Sequence, residues 1–310
     1  MGVSREAIFG AAAGEPATPG TYGEPPAGPR LPDQLSLGAV HLQVGDLPRS
    51  LDYYQNVLGL ALIDRSGQHA ALAPQGTTTP LVELHERKGA PPAPRRGRLG
   101  LFHFAILLPD RPALGRFVQH LSDIGAHAGA ADHLVSEAFY LQDPDNLGIE
   151  VYRDRPRAEW RRKGKELMMA TDPVDAMGIV EAAEGKPWTG MPAGTVMGHL
   201  HLHVGDIAAG QQFYSETLGF DRMVWEYPGA LFMSAGGYHH HLGTNTWAGA
   251  GAKAPEAGDA QLLEWTMRFP GVASRESRVE RLEAAGIAVQ REEAGVLVKD
   301  PWGTKVRLVA

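Results

Sequence analysis

Cysteine is absent from this chain of 310 residues, whereas histidine occurs 13 times. Without cysteine, no disulfide can form and no thiolate can bind a metal. Any metal site must therefore be built from histidine and carboxylate side chains, which suit divalent first-row transition ions.

Long apolar runs and an excess of basic charge are also missing. No stretch reaches the roughly 18 apolar residues of a membrane-spanning helix, and the N-terminus has no basic segment followed by an apolar one, as a secretory signal would. The net charge of -7 disfavours a nucleic-acid partner. We therefore expect a cytoplasmic protein that acts on a small molecule, with no nucleic-acid or membrane partner. Homo-oligomer formation is left open.

The sequence contains four similar segments, each with a strand followed by a helix. Val40–Leu60 resembles Leu200–Phe220, because each has an alternating strand, an Asp at a helix start, an amphipathic helix and a Leu-Gly stop. Phe102–Ala126 resembles Glu264–Ile287 in the same strand-helix-Gly order. The pattern predicts four βαβββ modules, which span 37–88, 98–153, 197–247 and 260–310.

These modules define the predicted domain organisation of an α+β protein. The predicted parts are a Pro/Gly-rich arm (1–36), an N-terminal domain of modules one and two (37–153), a linker (154–196) and a C-terminal domain of modules three and four (197–310).

Four βαβββ modules resemble the vicinal oxygen chelate superfamily, which includes glyoxalases, bleomycin-resistance proteins and extradiol dioxygenases. The resemblance implies curved, cup-like mixed sheets with metal ligands on the first and last strands of a module. The first-strand position lies seven residues before the residue that opens the helix. In module order this count gives Ala39, His103, His199 and Glu264. The last-strand position gives Glu150 in module two and Lys305 in module four.

The same count distinguishes between three histidines of one strand. His199, His201 and His203 alternate, so they share one face. Only His199 falls at the ligand position, and we expect His201 and His203 not to bind metal.

The site depends on which modules pair. A pairing of modules one and two would place Ala39 where a ligand is needed. A pairing of modules three and four would include Glu264 and Lys305. Modules two with three collect His103, Glu150 and His199, the two-histidine, one-carboxylate set of non-haem Fe(II) oxygenases. We therefore predict the crosswise pairing of two with three.

A second motif, "DHLVSEAFYLQDPDNLGIE", narrows the chemistry. It resembles the extradiol dioxygenase signature through the residues His133, Phe139, Tyr140, Asp143, Pro144 and Glu150. It departs from that signature at Ala131 and Asn146. Both departures lie at turn positions, so they bear on the geometry of the loops more than on the chemistry. With "GHLHLHV" and "YHHHLGTNTWAG", the chain is similar to the bacterial two-domain catechol 2,3-dioxygenase group.

The resemblance implies an enzyme that opens a catechol-type diol with O2 to give a ring-opened semialdehyde. Its metal would be Fe(II), or Mn(II), held by His103, Glu150 and His199. His241 is the predicted acid/base, with His239 as the same-face alternative. Tyr140 would hydrogen-bond a substrate oxygen, and His133 would line the pocket.

Two other functions stay open at this point. One is a glyoxalase-like lyase or isomerase, in which His103, Glu150, His199 and His241 bind Zn(II) or Ni(II) and O2 is not needed. The other is a non-catalytic protein that sequesters an aromatic compound.

Overall fold

A computed structural model describes residues 2–10 and 12–310 of the chain. It contains the four predicted modules, each in the order β-α-β-β-β. Module one consists of a strand, a helix and three strands after an N-terminal segment; the elements up to residue 86 are α1 (Arg5–Phe9), β1 (Glu15–Pro16), β2 (Ser36–Val44), α2 (Leu47–Asp52), β3 (Ala61–Ser66), β4 (His69–Ala73) and β5 (Val82–Glu86). Module two and the connecting segment contain β6 (Gly100–Leu107), α3 (Arg111–Asp123), β7 (Gly129–Asp132), β8 (Ser136–Gln142), β9 (Gly148–Asp154), β10 (Arg161–Lys163), β11 (Glu166–Leu167) and α4 (Ala176–Glu181).

Modules three and four repeat the pattern. They contain β12 (Val196–His203), α5 (Ile207–Gln211), β13 (Asp221–Val224), β14 (Ala230–Ser234), β15 (Leu242–Asn245), β16 (Gln261–Arg268), α6 (Val272–Ala284), β17 (Gln290–Glu292), β18 (Gly295–Lys299) and β19 (Lys305–Val309). Among the residues described, no helix is long and apolar enough to cross a bilayer.

Three module helices begin where the sequence predicts. The carboxylates of Asp46, Asp110 and Asp206 accept hydrogen bonds from the backbone N–H three residues later, which satisfies amides that the helix leaves unpaired. The fourth helix, α6, follows Gly271 and has no side-chain cap. A π-helical turn extends α2 over Tyr53–Val57 and α5 over Gln212–Thr217.

The modules pair crosswise into two eight-stranded sheets. The first sheet runs β13-β14-β15-β12-β6-β9-β8-β7, and the second runs β17-β18-β19-β16-β2-β5-β4-β3. Antiparallel pairing of β6 with β12 joins modules two and three, and that of β2 with β16 joins modules one and four. The predicted two-three pairing is confirmed. Each sheet therefore takes one module from each half of the chain, and the division at 154–196 stays a prediction about domains.

Buried tyrosine–aspartate bonds connect modules within each half. The Tyr54 hydroxyl donates to Asp143 at 3.0 Å, and the Tyr214 hydroxyl donates to Asp300 at 2.8 Å. Asp143 and Asp300 also accept backbone N–H groups of their own Asp-Pro turns. The helical segment of one module is thus hydrogen-bonded to the turn of the next. Both sheets also pack on one continuous apolar core.

The N-terminal arm packs on the first sheet. The Tyr22 hydroxyl donates to the Gly237 carbonyl at 2.7 Å, and Arg30 pairs with Asp221. Strand β1 joins β10 and β11 in a small third sheet. Tyr22, Trp160 and Tyr227 belong to a second apolar cluster. The arm and the connecting segment therefore cover one end of the first cup.

Candidate metal centre

Three neighbouring strands carry the predicted ligands. His199 lies on β12, His103 on β6 and Glu150 on β9. Ala105, in the middle strand, pairs with both Glu150 and His199, and His103 lies two residues before it. Because partners across a sheet share a face and side chains alternate along a strand, all three ligands point to the same side. The small side chain of Ala105 leaves space between them.

The ligand atoms converge. Nε2 of His103 lies 3.1 Å from Oε2 of Glu150, and Nε2 of His199 lies 3.2 Å from the same oxygen. All three side chains are buried, and their ligand atoms lie within 4.8 Å of one another. This is one of the two such clusters among the residues described.

The protonation states suit a divalent metal. Burial would raise the pKa of Glu150, but His199 and His103 outweigh it and hold that pKa well below its ordinary value. Burial lowers the pKa of His199 to about 4, against the opposing effect of Glu150. The site thus combines the ionised carboxylate of Glu150 with the neutral imidazole of His199, in the states that metal binding requires.

Several polar atoms of this cluster have no hydrogen-bond partner among the described residues. They include Nε2 of His103, Oε1 of Glu150 and Nδ1 of His199. An unpaired buried polar atom costs about 1–3 kcal/mol. A cation at the converging atoms would satisfy Nε2 of His103, so the donor set fits a metal.

His133 and Tyr140 form a pair beside this centre. Nδ1 of His133 lies 2.6 Å from the Ala170 carbonyl, so it carries the proton and donates. Nε2 of a neutral His133 then accepts from the Tyr140 hydroxyl. Tyr140 is also the direct register partner of Glu150, which places both on one face. Burial, with Glu150 nearby, raises the pKa of Tyr140 well above 10, so the phenol stays protonated.

The cluster of three consecutive histidines is arranged differently from the expected pattern. His240 lines the cavity over the metal ligands, and its ring centroid lies 4.0 Å from that of His199. His241 lies along a separate cavity with Arg157, and its Nδ1 accepts from the backbone N–H of Ala235. His239 is fully buried between His240 and Asp154.

Local backbone geometry explains the orientation of these three histidines. Predicting His239 and His241 on the site face assumed a regular strand. Gly236 and Gly237 have φ of 61° and 65°, and β15 begins only at Leu242. Strand alternation therefore does not apply to the three histidines. The structure does not bring the His241 ring to the metal ligands, and sequence reasoning missed His240.

Hydrogen bonds fix the orientation of His240. Nε2 of His239 lies 2.8 Å from Oδ1 of Asp154, which only accepts, so His239 is protonated there. Nδ1 of a neutral His239 must then accept from Nδ1 of His240, 2.7 Å away. The remaining nitrogen of His240, Nε2, keeps a free lone pair. Burial lowers the pKa of His240 well below 6.5, so the ring is a neutral base.

The cavity has a volume of about 300 Å³ and largely apolar walls. Aromatic side chains form one side, and small residues from β7 form another; these residues are Phe102, Tyr227, Phe232, Trp247, Gly129, Ala130 and Ala131. His201 also lines it, as its strand predicts. Gly2 and Met169–Thr171, from the arm and the connecting segment, complete the wall and could not be assigned to it from sequence.

This fold and cluster of ligands define a class of protein. The family model of the Glyoxalase/Bleomycin resistance protein/Dioxygenase superfamily matches residues 36–151 and 196–308. The chain belongs to this superfamily.

A more specific relative is known. The chain is 41% identical over 272 residues to a protein of Bacillus subtilis (strain 168) named catechol-2,3-dioxygenase, covering 87% of this chain and 95% of that protein. Two solved structures share the fold. One is a provisionally assigned dioxygenase of Bacillus subtilis subsp. subtilis str. 168, with a TM-score of 0.61, 12% identity, and 91% of this chain and 86% of that chain covered. The other is glyoxalase I of Zea mays, with a TM-score of 0.52, 19% identity, and 88% and 92% covered.

Proposed function

We propose that this protein is an extradiol ring-cleaving dioxygenase. It would break the ring C–C bond beside the two hydroxyls of a catechol-type diol, with both atoms of O2 entering the semialdehyde product. The observation that carries this proposal is the His103–Glu150–His199 cluster at the base of an apolar cavity beside a His–Tyr pair. The relative named catechol-2,3-dioxygenase supports the same conclusion.

The residues that would hold the metal are His103, Glu150 and His199, and the metal we propose is Fe(II), with Mn(II) as a substitute. When bound, this ion supplies a Lewis acid and a template that lower the pKa of a phenol and bring two reactants together.

The chain itself supplies the proton transfers. His240 presents a neutral imidazole to the cavity and would accept a proton from a diol hydroxyl, a transfer typically worth about 10²–10⁴ in rate. His239 and Asp154 would position its ring. Tyr140 donates to His133, so its oxygen keeps lone pairs that can accept from a substrate hydroxyl. We therefore propose that His240 is the acid/base, and not His241 or His239, the residues predicted from the sequence.

The cavity wall indicates the substrate class. Of the residues described, no lysine or arginine lines it. A carboxylate on the substrate would be buried without a partner, which costs several kcal/mol. We propose a neutral diol, either unsubstituted or carrying a small apolar group. At equal pH, kcat/KM for catechol should exceed that for 3,4-dihydroxybenzoate by at least about 100-fold, and the reverse order would contradict this assignment.

One experiment tests the function. The purified protein is analysed for metal and then given catechol with and without O2, while O2 uptake and a yellow ring-opened product are followed. Iron with stoichiometric, O2-dependent product formation is the expected result. Anaerobic turnover of a hemithioacetal with bound zinc or nickel would instead support the glyoxalase-like function, and catechol binding without turnover would support a binding protein. The cytoplasmic location and the homo-oligomer stay predictions.

A further inference from the structure

The second sheet also forms a cup, and this cup lacks the metal ligands of the first. The strand register gives the counterparts of His199, His103 and Glu150 as Ala39, Glu264 and Arg307. Arg307 and Glu264 form a bidentate ion pair. The last-strand counterpart of Glu150 is Arg307, and not Lys305 as predicted from the sequence. The spacing agrees, since Arg307 follows Asp300 by seven residues, as Glu150 follows Asp143.

Different positions of the second cup carry a histidine cluster. His41 on β2 pairs in register with Glu83 on β5, and His85 lies two residues after Glu83. His69 on β4 is the register partner of His85. Since side chains alternate along strands, these four residues share one face, in a cavity of about 540 Å³ lined in part by His41, Glu83 and His85.

We propose that His41, Glu83 and His85 form a second binding site for a divalent transition ion of the zinc type. Nδ1 of His41 lies 3.2 Å from Nε2 of His85 and 3.6 Å from Oε2 of Glu83. Ligand atoms about 2.0–2.1 Å from a tetrahedral zinc are about 3.3 Å apart, so this spacing matches zinc coordination. Two nitrogens and a carboxylate oxygen are also donors that zinc accepts.

Neighbouring groups orient these donors. Oε1 of Glu264 lies 3.7 Å from Nε2 of His41, the ring nitrogen that does not face the other two donors. Nε2 of His69 donates to Oε2 of Glu83 at 2.9 Å. Such outer partners are a regular feature of metal sites. Arg307, which lines the same cavity, is neutralised by Glu264 and Glu292.

The imidazoles are available to a metal ion. About a fifth of each side chain of His41 and Glu83 is exposed, which gives an ion a path from solvent. A bound ion would connect β2 to β5, and its function would be structural or regulatory. This inference is independent of the chemistry proposed for the first cup.

The test is a zinc titration of the full-length protein after dialysis against a chelator, with a chromophoric chelator as competitor. The variants are His85→Gln, His199→Gln and, as a matched control, His127→Gln, which changes an exposed histidine outside both cups. The wild-type chain and His127→Gln should bind one zinc equivalent that His85→Gln loses and His199→Gln retains. Equal zinc stoichiometry in His85→Gln and His127→Gln would overturn the proposal.

Crystals grown with zinc give a measurement that does not depend on a variant folding. Anomalous scattering should place an ion about 2.1 Å from Nδ1 of His41 and Nε2 of His85. Zinc density confined to the first cup would overturn the proposal.

Discussion

The two cups have one architecture and different side chains at equivalent places. In the first, two imidazoles and a carboxylate converge, from His103, His199 and Glu150. In the second, the equivalent places hold Glu264, Arg307 and Ala39. There the guanidinium neutralises the carboxylate, so these three places offer no net negative donor set to a cation. The donors of the proposed zinc site, His41, Glu83 and His85, lie at other positions of the same cup. The strand register thus brings equivalent positions together in both cups, and the side chains at these positions determine whether they can hold a metal.

The largest expected effect comes from removing the carboxylate of the first cup. Glu150→Gln should lose bound metal and ring-cleaving activity down to background, because an amide is a weak ligand and does not balance the metal charge. Metal content by elemental analysis and O2 uptake with catechol would be measured. Glu280→Gln, on the exposed side of α6, is the matched control. An active, metal-loaded Glu150→Gln would show that the two cups do not differ in the way proposed.

Removing the proposed base should have the next largest effect. His240→Gln should lower kcat by about 10²–10⁴ while metal content is kept, because the substrate proton loses its acceptor. The pH dependence of kcat would lose its acidic limb. His241→Gln should cost far less, since His241 lies along another cavity. A larger loss in His241→Gln than in His240→Gln would restore the acid/base role predicted from sequence.

The buried aspartates that join the modules should make stability depend on pH. Burial raises the pKa of Asp143 to about 7, above the unfolded value near 3.8. The folded state then binds more protons between these values, so the unfolding free energy falls as pH rises from about 4 to 7, by at most about 4 kcal/mol.

Denaturant unfolding at several pH values would measure this fall. Asp143→Asn should show a smaller fall, because asparagine does not titrate. The pKa of Asp300 is raised for the same reason, and Asp300→Asn is the matched variant in the other half. A pH slope unchanged by either variant would contradict this origin.

The smallest effect is expected from breaking the ion pair of the second cup. The carboxylate of Glu264 and the guanidinium of Arg307 are each only 12% exposed. Arg307→Met should lower the unfolding free energy by about 1–3 kcal/mol, since it leaves a largely buried carboxylate unpaired. Thermal unfolding would measure the loss. If Arg307→Met together with Glu264→Leu is less stable than Arg307→Met alone, the unpaired carboxylate is not the cause.

Much of the fold was readable from local patterns. Asp46, Asp110 and Asp206 cap helices because their short carboxylates reach the backbone N–H groups of the first turn. The strand period of two placed His103 and His199 at ligand positions, once the family resemblance supplied the spacing. These features depend on residues close in sequence, so the sequence alone was enough to predict them.

The remaining features needed the tertiary structure. Whether Glu150 lies beside His199 or beside Ala39 depends on which modules pair, and no local pattern contains that information. The pairing follows from β6 bonding to β12 across about 100 residues of chain. The glycine turn before β15 then turned His240 inward and His241 outward, against strand alternation.

The sequence by itself determined the modules and the helix starts, because periodicity and capping act within a few residues. The family resemblance was needed to select the three predicted donors of the first cup. The tertiary structure decided which modules share a sheet, which of three consecutive histidines reaches the cavity, and that His41, Glu83 and His85 meet in the second cup. Those outcomes depend on long-range strand pairing and on irregular backbone, where the alternation of side chains no longer predicts direction.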